Sequence, residues 1–245
     1  MVRLVNDKNS LDFLPADPYA ARVTALAETY GTEHSFAMFW VQEIEGEAVA
    51  SVCRVDGNMT VCCLENADYE ELSAFINAVG FLTLTGDADV IKKLGFGISK
   101  TSFTVEYKGG AALGGTLKVC DCDKRKIYDL LCSCGFELGD YSAFLADVCA
   151  RLNKGTASFS AILNGDEPCA CAFALFEGAK SVLLGAVATN PSARGKGYAS
   201  ELVGALAEEK SDKKVFLFCR EDSLADFYAK IGFEKVGCWA IAENI

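Results

Sequence analysis

One stretch restricts this chain more than any other: Ser181 to Lys210, SVLLGAVATNPSARGKGYASELVGALAEEK. Val182 to Ala188 is an unbroken apolar run of the length of a buried strand. Asn190-Pro191-Ser192 ends it with turn chemistry. Beyond Arg194-Gly195-Lys196-Gly197, the residues Ala199, Leu202, Val203 and Leu206 recur at i, i+3, i+4 and i+7, one face of a helix. A buried strand that turns within a few residues into an amphipathic helix is a building block of a layered α/β fold. Its junction is also a chemical feature. The first turn of a helix carries backbone N–H groups without partners and the positive end of the dipole, so it cradles phosphate. Gly195 and Gly197 keep side chains away from that backbone, and Arg194 and Lys196 add positive charge.

Two nucleotide motifs are excluded. A dinucleotide fingerprint needs a third glycine where Ser200 stands, and no Walker loop, G-x-x-x-x-G-K-[ST], occurs. What the loop does contain is R-x-x-G-x-A, as Arg194, Gly197 and Ala199. A second segment follows. Val215 to Cys219 reads as a short buried strand, Glu221-Asp222-Ser223 as a helix start, and Leu224, Phe227, Tyr228 and Ile231 as a helix face closed by Gly232. With Thr189-Asn190-Pro191 before the loop and FYAKIGF at Phe227 to Phe233, residues 116–245 resemble the GNAT N-acetyltransferase superfamily. That family's signature is [QR]-x-x-G-x-[GA] after a strand, followed by a strand, a helix with an aromatic pair, and G-F. Thr189 departs from the usual Val.

The resemblance implies acetyl transfer from acetyl-CoA to an amine by direct attack. Backbone at Val187, Ala188 and Thr189 would pair with the pantetheine arm, and Arg194, Gly195, Lys196, Gly197, Tyr198, Ala199 and Ser200 would hold the diphosphate. An N–H near Ala188 would face the thioester carbonyl. Tyr228 falls on the tyrosine position that protonates the departing thiolate, which a phenol near its ordinary pKa does well. Ser223 stands where relatives contact the cofactor; read from the residues alone it is an N-cap. Relatives place a carboxylate base on or beside the strand before the loop. Ser181 to Thr189 has none, which leaves Glu177, Asp140, Glu137 or no dedicated base. By analogy Glu137, Asp140, Tyr141 and Phe144 flank the acceptor groove.

The rest of the chain suggests a duplication. Phe36–Glu43, Ala48–Val55 and Met59–Leu64 read as a strand meander, then Glu70–Val79 as a helix, Phe81–Thr85 as a strand, Asp87–Leu94 as a short helix, and Ser102–Tyr107 as a last strand. Ala157–Leu163, Cys169–Phe176 and Ser181–Thr189 repeat the meander, and Lys93-Leu94-Gly95-Phe96 recurs as Lys230-Ile231-Gly232-Phe233. The expected fold is α/β with a mixed sheet: two tandem acetyltransferase-like domains, 1–110 without a cofactor loop and 111–245 binding acetyl-CoA. Residues 108–117, KGGAALGGTL, read as the joint, and Asp17–Tyr30, Lys124–Cys134 and Ser142–Leu152 as further helices.

Composition sets the outer limits. A net charge of −11, mostly from residues 1–110, argues against a nucleic-acid partner. No apolar run is long enough to span a membrane, and the N-terminus lacks a signal peptide's apolar core, so the expected setting is cytoplasmic. Twelve cysteines without a C-x-x-C pair suit buried thiols; Cys120, Cys122, Cys132 and Cys134 remain a possible thiolate cluster. His34, the only histidine, is too isolated for a histidine metal site. The acceptor is read as a small-molecule or peptide amine, and the oligomeric state is open. Two other readings stand beside the enzyme: a non-catalytic acyl-CoA-binding or sensing protein on the same fold, and a thiol-rich metal or redox module.

Overall fold

The computed structural model describes residues 1–110 and 122–244. Residues 111–117 of the glycine-rich joint, and Cys120 of the cysteine group, lie outside the described residues. A short strand β1 (Val2–Leu4) precedes helix α1 (Pro18–Tyr30). The Asp17 carboxylate accepts the Ala20 N–H at 2.6 Å to start α1, and Gly31 stops it at φ +71°. The meander follows as β2 (Ala37–Ile44), β3 (Glu47–Val55) and β4 (Asn58–Cys63). Helix α2 (Tyr69–Val79), β5 (Thr83–Asp87), α3 (Ala88–Lys93) and β6 (Lys100–Tyr107) complete the first series.

After α4 (Lys124–Ser133) and α5 (Tyr141–Lys154), the order recurs. It runs β7 (Ser158–Asn164), β8 (Glu167–Glu177), β9 (Ser181–Thr189), α6 (Tyr198–Glu209), β10 (Lys214–Phe218), α7 (Leu224–Ala229) and β11 (Phe233–Glu243). In both series three antiparallel strands are followed by a helix and a strand parallel to the third: β4 with β5, β9 with β10.

All strands form one eleven-stranded mixed sheet, β1-β2-β3-β4-β5-β11-β6-β10-β9-β8-β7. Its centre is crossed. β11, last in the chain, pairs antiparallel with β5, while β6 pairs antiparallel with β10. Each series therefore hands its last strand to the other, and β6 and β11 pair between them, Phe233 opposite Tyr107 and Ile241 opposite Lys100. β11 has no counterpart in the sequence reading. Glu234, Lys235 and Gly237 interrupt its apolar pattern, and its pairing with β6 shifts register at Lys235/Gly237. β5 begins two residues later than its pattern suggests: Phe81 is buried under α2 instead, and Leu82 is 64% exposed.

Helices cover both faces. Leu202, Val203 and Leu206 of α6 and Tyr228 of α7 pack on Ala170, Ala172 and Ala174 of β8, Val182 and Leu184 of β9, and Leu217 of β10. The alanine row lets α6 lie close. Truncating the fully buried Leu202 to Ala would cost about 2–5 kcal/mol. On the other face, α4 and α5 cover Cys171, Phe173 and Ala188, and α1 covers Phe39, Val41, Cys53, Cys62 and Trp239. α1 also reaches the second series: a Cβ on Gly178 would meet Thr24 Oγ1 at 2.5 Å, and Ser181 Oγ donates to the Asp17 carbonyl at 2.7 Å. Cys53, Cys62, Cys171 and Cys219 are buried thiols. Among the described residues no helix is long and apolar enough to cross a membrane, and no group of His, Cys, Asp and Glu is placed to hold a metal.

Candidate active site

The site begins where two parallel strands part. β9 and β10 pair from Ser181 opposite Lys214 as far as Leu184 opposite Leu217. Beyond that, Gly185 to Thr189 stay paired only with β8, Ala188 opposite Cys171 and Thr189 opposite Ala170. Ala186 adopts φ +47°, a left-handed conformation rare for a residue with a Cβ, and it lies within the stretch, between Gly185 opposite Phe173 and Ala188 opposite Cys171, where the β8–β9 register shifts. The bulge turns the strand away from β10. It leaves an edge of backbone N–H and C=O groups facing an opening, a ready partner for an extended ligand.

The chain then turns tightly. Asn190 Oδ1 accepts the Ser192 N–H at 3.0 Å, and Arg194 Nε folds back to the Thr189 carbonyl at 3.3 Å. Gly195 and Gly197 take φ +78° and +81°. A Cβ at either would meet nothing within 4 Å, so the glycines are required by backbone conformation rather than by crowding. The Arg194 N–H still has an acceptor, the Pro191 carbonyl, and Glu201 N–H opens the helical ladder by donating to Gly197. Between them, none of the amides of residues 195–200 has an acceptor among the described residues. Successive free amides around left-handed glycines at a helix start form an anion-binding concavity.

This loop forms one end of a cleft of about 930 Å³. Val187, Ala188, Thr189, Arg194, Gly195, Lys196, Gly197, Tyr198, Ala199, Ser200 and Tyr228 all line it. Ser223 does not: it is exposed before α7, with αR backbone and no capping side-chain bond. Four cationic residues, Lys100, Arg194, Lys196 and Arg220, face one carboxylate, Glu137. A chain of net charge −11 thus gathers positive charge at this cleft, which favours a polyanionic ligand.

Tyr228 is 5% exposed, wedged against the rings of Phe227 and Phe233. Burial, with a smaller contribution from Cys219, pushes its phenol well above the ordinary tyrosine value. The expectation of a phenol near its usual pKa is corrected on that ground, and the hydroxyl is protonated throughout the physiological range. Of the carboxylates named from sequence, Glu137 lines the cleft. Glu177 is held elsewhere, accepting from Ser158 Oγ at 2.5 Å and pairing with Lys210 at 3.0 Å. Asp140 sits at the start of α5, and Asp140, Tyr141 and Phe144 are outside the cleft lining.

Sequence reasoning missed the opposite end of the cleft. Phe136, Phe218, Arg220, Trp239 and Lys100 line it. Only the crossing of β6 and β11 brings Lys100 and Trp239 beside β10, and no local pattern encodes that crossing.

Residues 155–235 match the family model described as the acetyltransferase (GNAT) domain. No curated protein matches the chain in sequence. Solved structures are similar over its whole length. A GNAT-family acetyltransferase from Colwellia psychrerythraea aligns over 100% of both chains at 12% identity, with a TM-score of 0.57. A tandem GNAT protein from the clavulanic acid biosynthesis pathway aligns over 98% of this chain and 97% of its own, at 11% identity and a TM-score of 0.55. A Drosophila protein aligns over 99% and 98%, at 12% identity and a TM-score of 0.62. At such identities the structural likeness is one of fold, and the family model speaks for the segment that carries the 194–200 loop and Tyr228. Residues 155–235 are therefore similar to the GNAT acetyltransferase domain, set in a chain whose fold is that of GNAT structures throughout.

Proposed function

We propose that this protein is an N-acetyltransferase that moves the acetyl group of acetyl-CoA to a primary amine, on a small molecule or a peptide, by direct attack. The observation that carries the reading is the row of unpartnered amides at residues 195–200, opening into a cleft of positive charge. A coenzyme diphosphate would satisfy those amides, with Arg194 and Lys196 beside it. The unpaired edge of Val187, Ala188 and Thr189 would hold the pantetheine arm as a strand partner.

When bound, the coenzyme supplies the activated acyl group. The chain's own residues do the rest. A backbone amide near Ala188 donates to the acyl oxygen. Tyr228, kept protonated by burial, gives its proton to the departing sulfur. The same apolar surroundings disfavour a bare thiolate, so donor and acceptor shift in one direction. Glu137, directly or through a water, draws the proton from the incoming ammonium.

Residues 1–110 are proposed to be a GNAT-like half without a coenzyme site, and residues 111–245 the half that binds it. The start of α2, the position matching α6, is already capped: the Asp68 carboxylate accepts the N–H groups of Glu70 and Glu71 at 3.0 Å each. Glu65, Glu70 and Glu71 add negative charge where a diphosphate would have to sit. A cytoplasmic setting and no nucleic-acid partner belong to the same proposal.

Calorimetric titration with acetyl-CoA, followed by product mass spectrometry over an amine panel, tests the reading. Binding with turnover supports it. Binding without transfer to any amine moves the protein to the alternative, an acyl-CoA-binding or sensing role, and no binding removes both.

A further inference from the structure

The cleft crosses the sheet. Leu217, Val187 and Tyr228 belong to the core beneath α6 and α7, the face that carries the 194–200 loop. Ala188 belongs to the core beneath α4 and α5, and Phe218 and Trp239 to the one beneath α1, on the opposite face. Resting on the acetyltransferase reading, this separates two compartments. Coenzyme phosphate is held on the α6 face, and the acceptor approaches from the α1 face, through the gap that opens after Leu184 and Leu217.

The acceptor compartment has a definite chemistry. Its floor is aromatic: Phe218 and Trp239 stack with centroids 5.7 Å apart, and the Trp239 indole N–H is fixed by the Cys219 carbonyl at 2.9 Å. Phe136 and Glu137 form the wall after α4, where Arg220 bridges back to the Gly135 carbonyl at 3.4 Å. Lys100, at the start of β6, stands across from them. Its ammonium is 5.8 Å from the Trp239 ring centroid and has no carboxylate partner among the described residues. Two residues along β6, the Ser102 hydroxyl donates to the Asp222 carboxylate at 2.7 Å.

We propose that Lys100 is a specificity residue and that the acceptor is a small amine carrying a carboxylate. The ammonium end faces Glu137, the carboxylate meets Lys100, and the carbon chain between them lies on Trp239 and Phe218. A cationic amine without an anionic group is disfavoured by Lys100 and Arg220. The crossed strands acquire a purpose on this view. β6, from the first series, is inserted beside β10 and delivers the acceptor-reading cation to a cleft built by the second.

The test uses the full chain saturated with coenzyme A, so that binding is read without turnover. Calorimetry compares α- and ω-amino acids with their carboxamides. At least one acid binds about tenfold or more tightly than its amide, the discrimination of one charge-assisted contact. In Lys100→Gln that ratio falls toward one, and in Lys100→Glu it inverts. Acid and amide binding alike across the panel, neither form binding, or a ratio unchanged in Lys100→Gln each overturns the assignment. Coenzyme affinity, measured in the same titrations, keeps the two readings apart: its absence in the wild type refutes the acetyltransferase reading, whereas its presence with no acid preference refutes only the role of Lys100.

Discussion

Removing the Tyr228 hydroxyl isolates one proton transfer from everything else the cleft does. Among the described residues the hydroxyl makes no hydrogen bond, while the ring is held by Phe227 at 5.1 Å and Phe233 at 5.9 Å between centroids. Tyr228→Phe keeps those ring contacts and leaves no buried group unsatisfied, so stability should change by less than about 1 kcal/mol. The phosphate loop is on a different element, and coenzyme affinity should stay within about threefold. Turnover should not. A single positioned acid contributes about 10²–10⁴ in rate, or about 3–5 kcal/mol of barrier. Stopped-time mass spectrometry of the acetylated product is the suitable assay, because the chain's cysteines react with thiol dyes. The pH profile gives a second check. Burial raises the Tyr228 pKa, so the wild-type rate should show no alkaline loss at the ordinary tyrosine value. A Phe variant that retains turnover would remove Tyr228 from the mechanism, and one that loses coenzyme binding would make it a packing residue.

Two predictions concern the scaffold. Gly232 has φ +92°, and a Cβ there would lie 2.5 Å from the Gly109 carbonyl oxygen and 3.0 Å from Tyr107 Cε2; Gly232→Ala should cost about 2 kcal/mol or more in urea unfolding, and a smaller loss would mean this junction yields easily. Asp17 is raised above its ordinary value, chiefly by burial, so the folded protein holds its proton to higher pH than the unfolded chain does. Stability tied to this group therefore falls as pH rises from the usual carboxylate range through the raised value. Asp17→Asn keeps the cap to Ala20 and should melt higher than wild type at pH 7, with the advantage vanishing in acid; a lower melting temperature at pH 7 would show that the ionised cap outweighs its burial.

What was legible in the sequence was local. Arg194 to Ala199 could be read because two glycines and an apolar stripe spaced at i, i+3 and i+4 declare a strand-to-helix turn within thirty residues. Tyr228 could be placed because it lies on the stripe that ends at Gly232. The acceptor end could not be read. Lys100 is one exposed lysine among many until β11 pairs with β5 and β6, and that pairing joins positions more than a hundred residues apart. β11 itself was hidden by Glu234, Lys235 and Gly237, which break the alternation of a strand whose ends are buried in two different cores. Glu177 shows the converse: its place beside β9 fits a base, but a lysine on the end of α6 has claimed it.

The most direct test of the central claim is amide NMR of the 15N-labelled chain during a titration with coenzyme A. Saturable binding should move the backbone N–H resonances of residues 195–200 most, downfield as they gain acceptors, and Gly197→Ala, strained at φ +81°, should weaken that binding about tenfold. Unmoved resonances at 195–200, with or without binding elsewhere, would contradict the account.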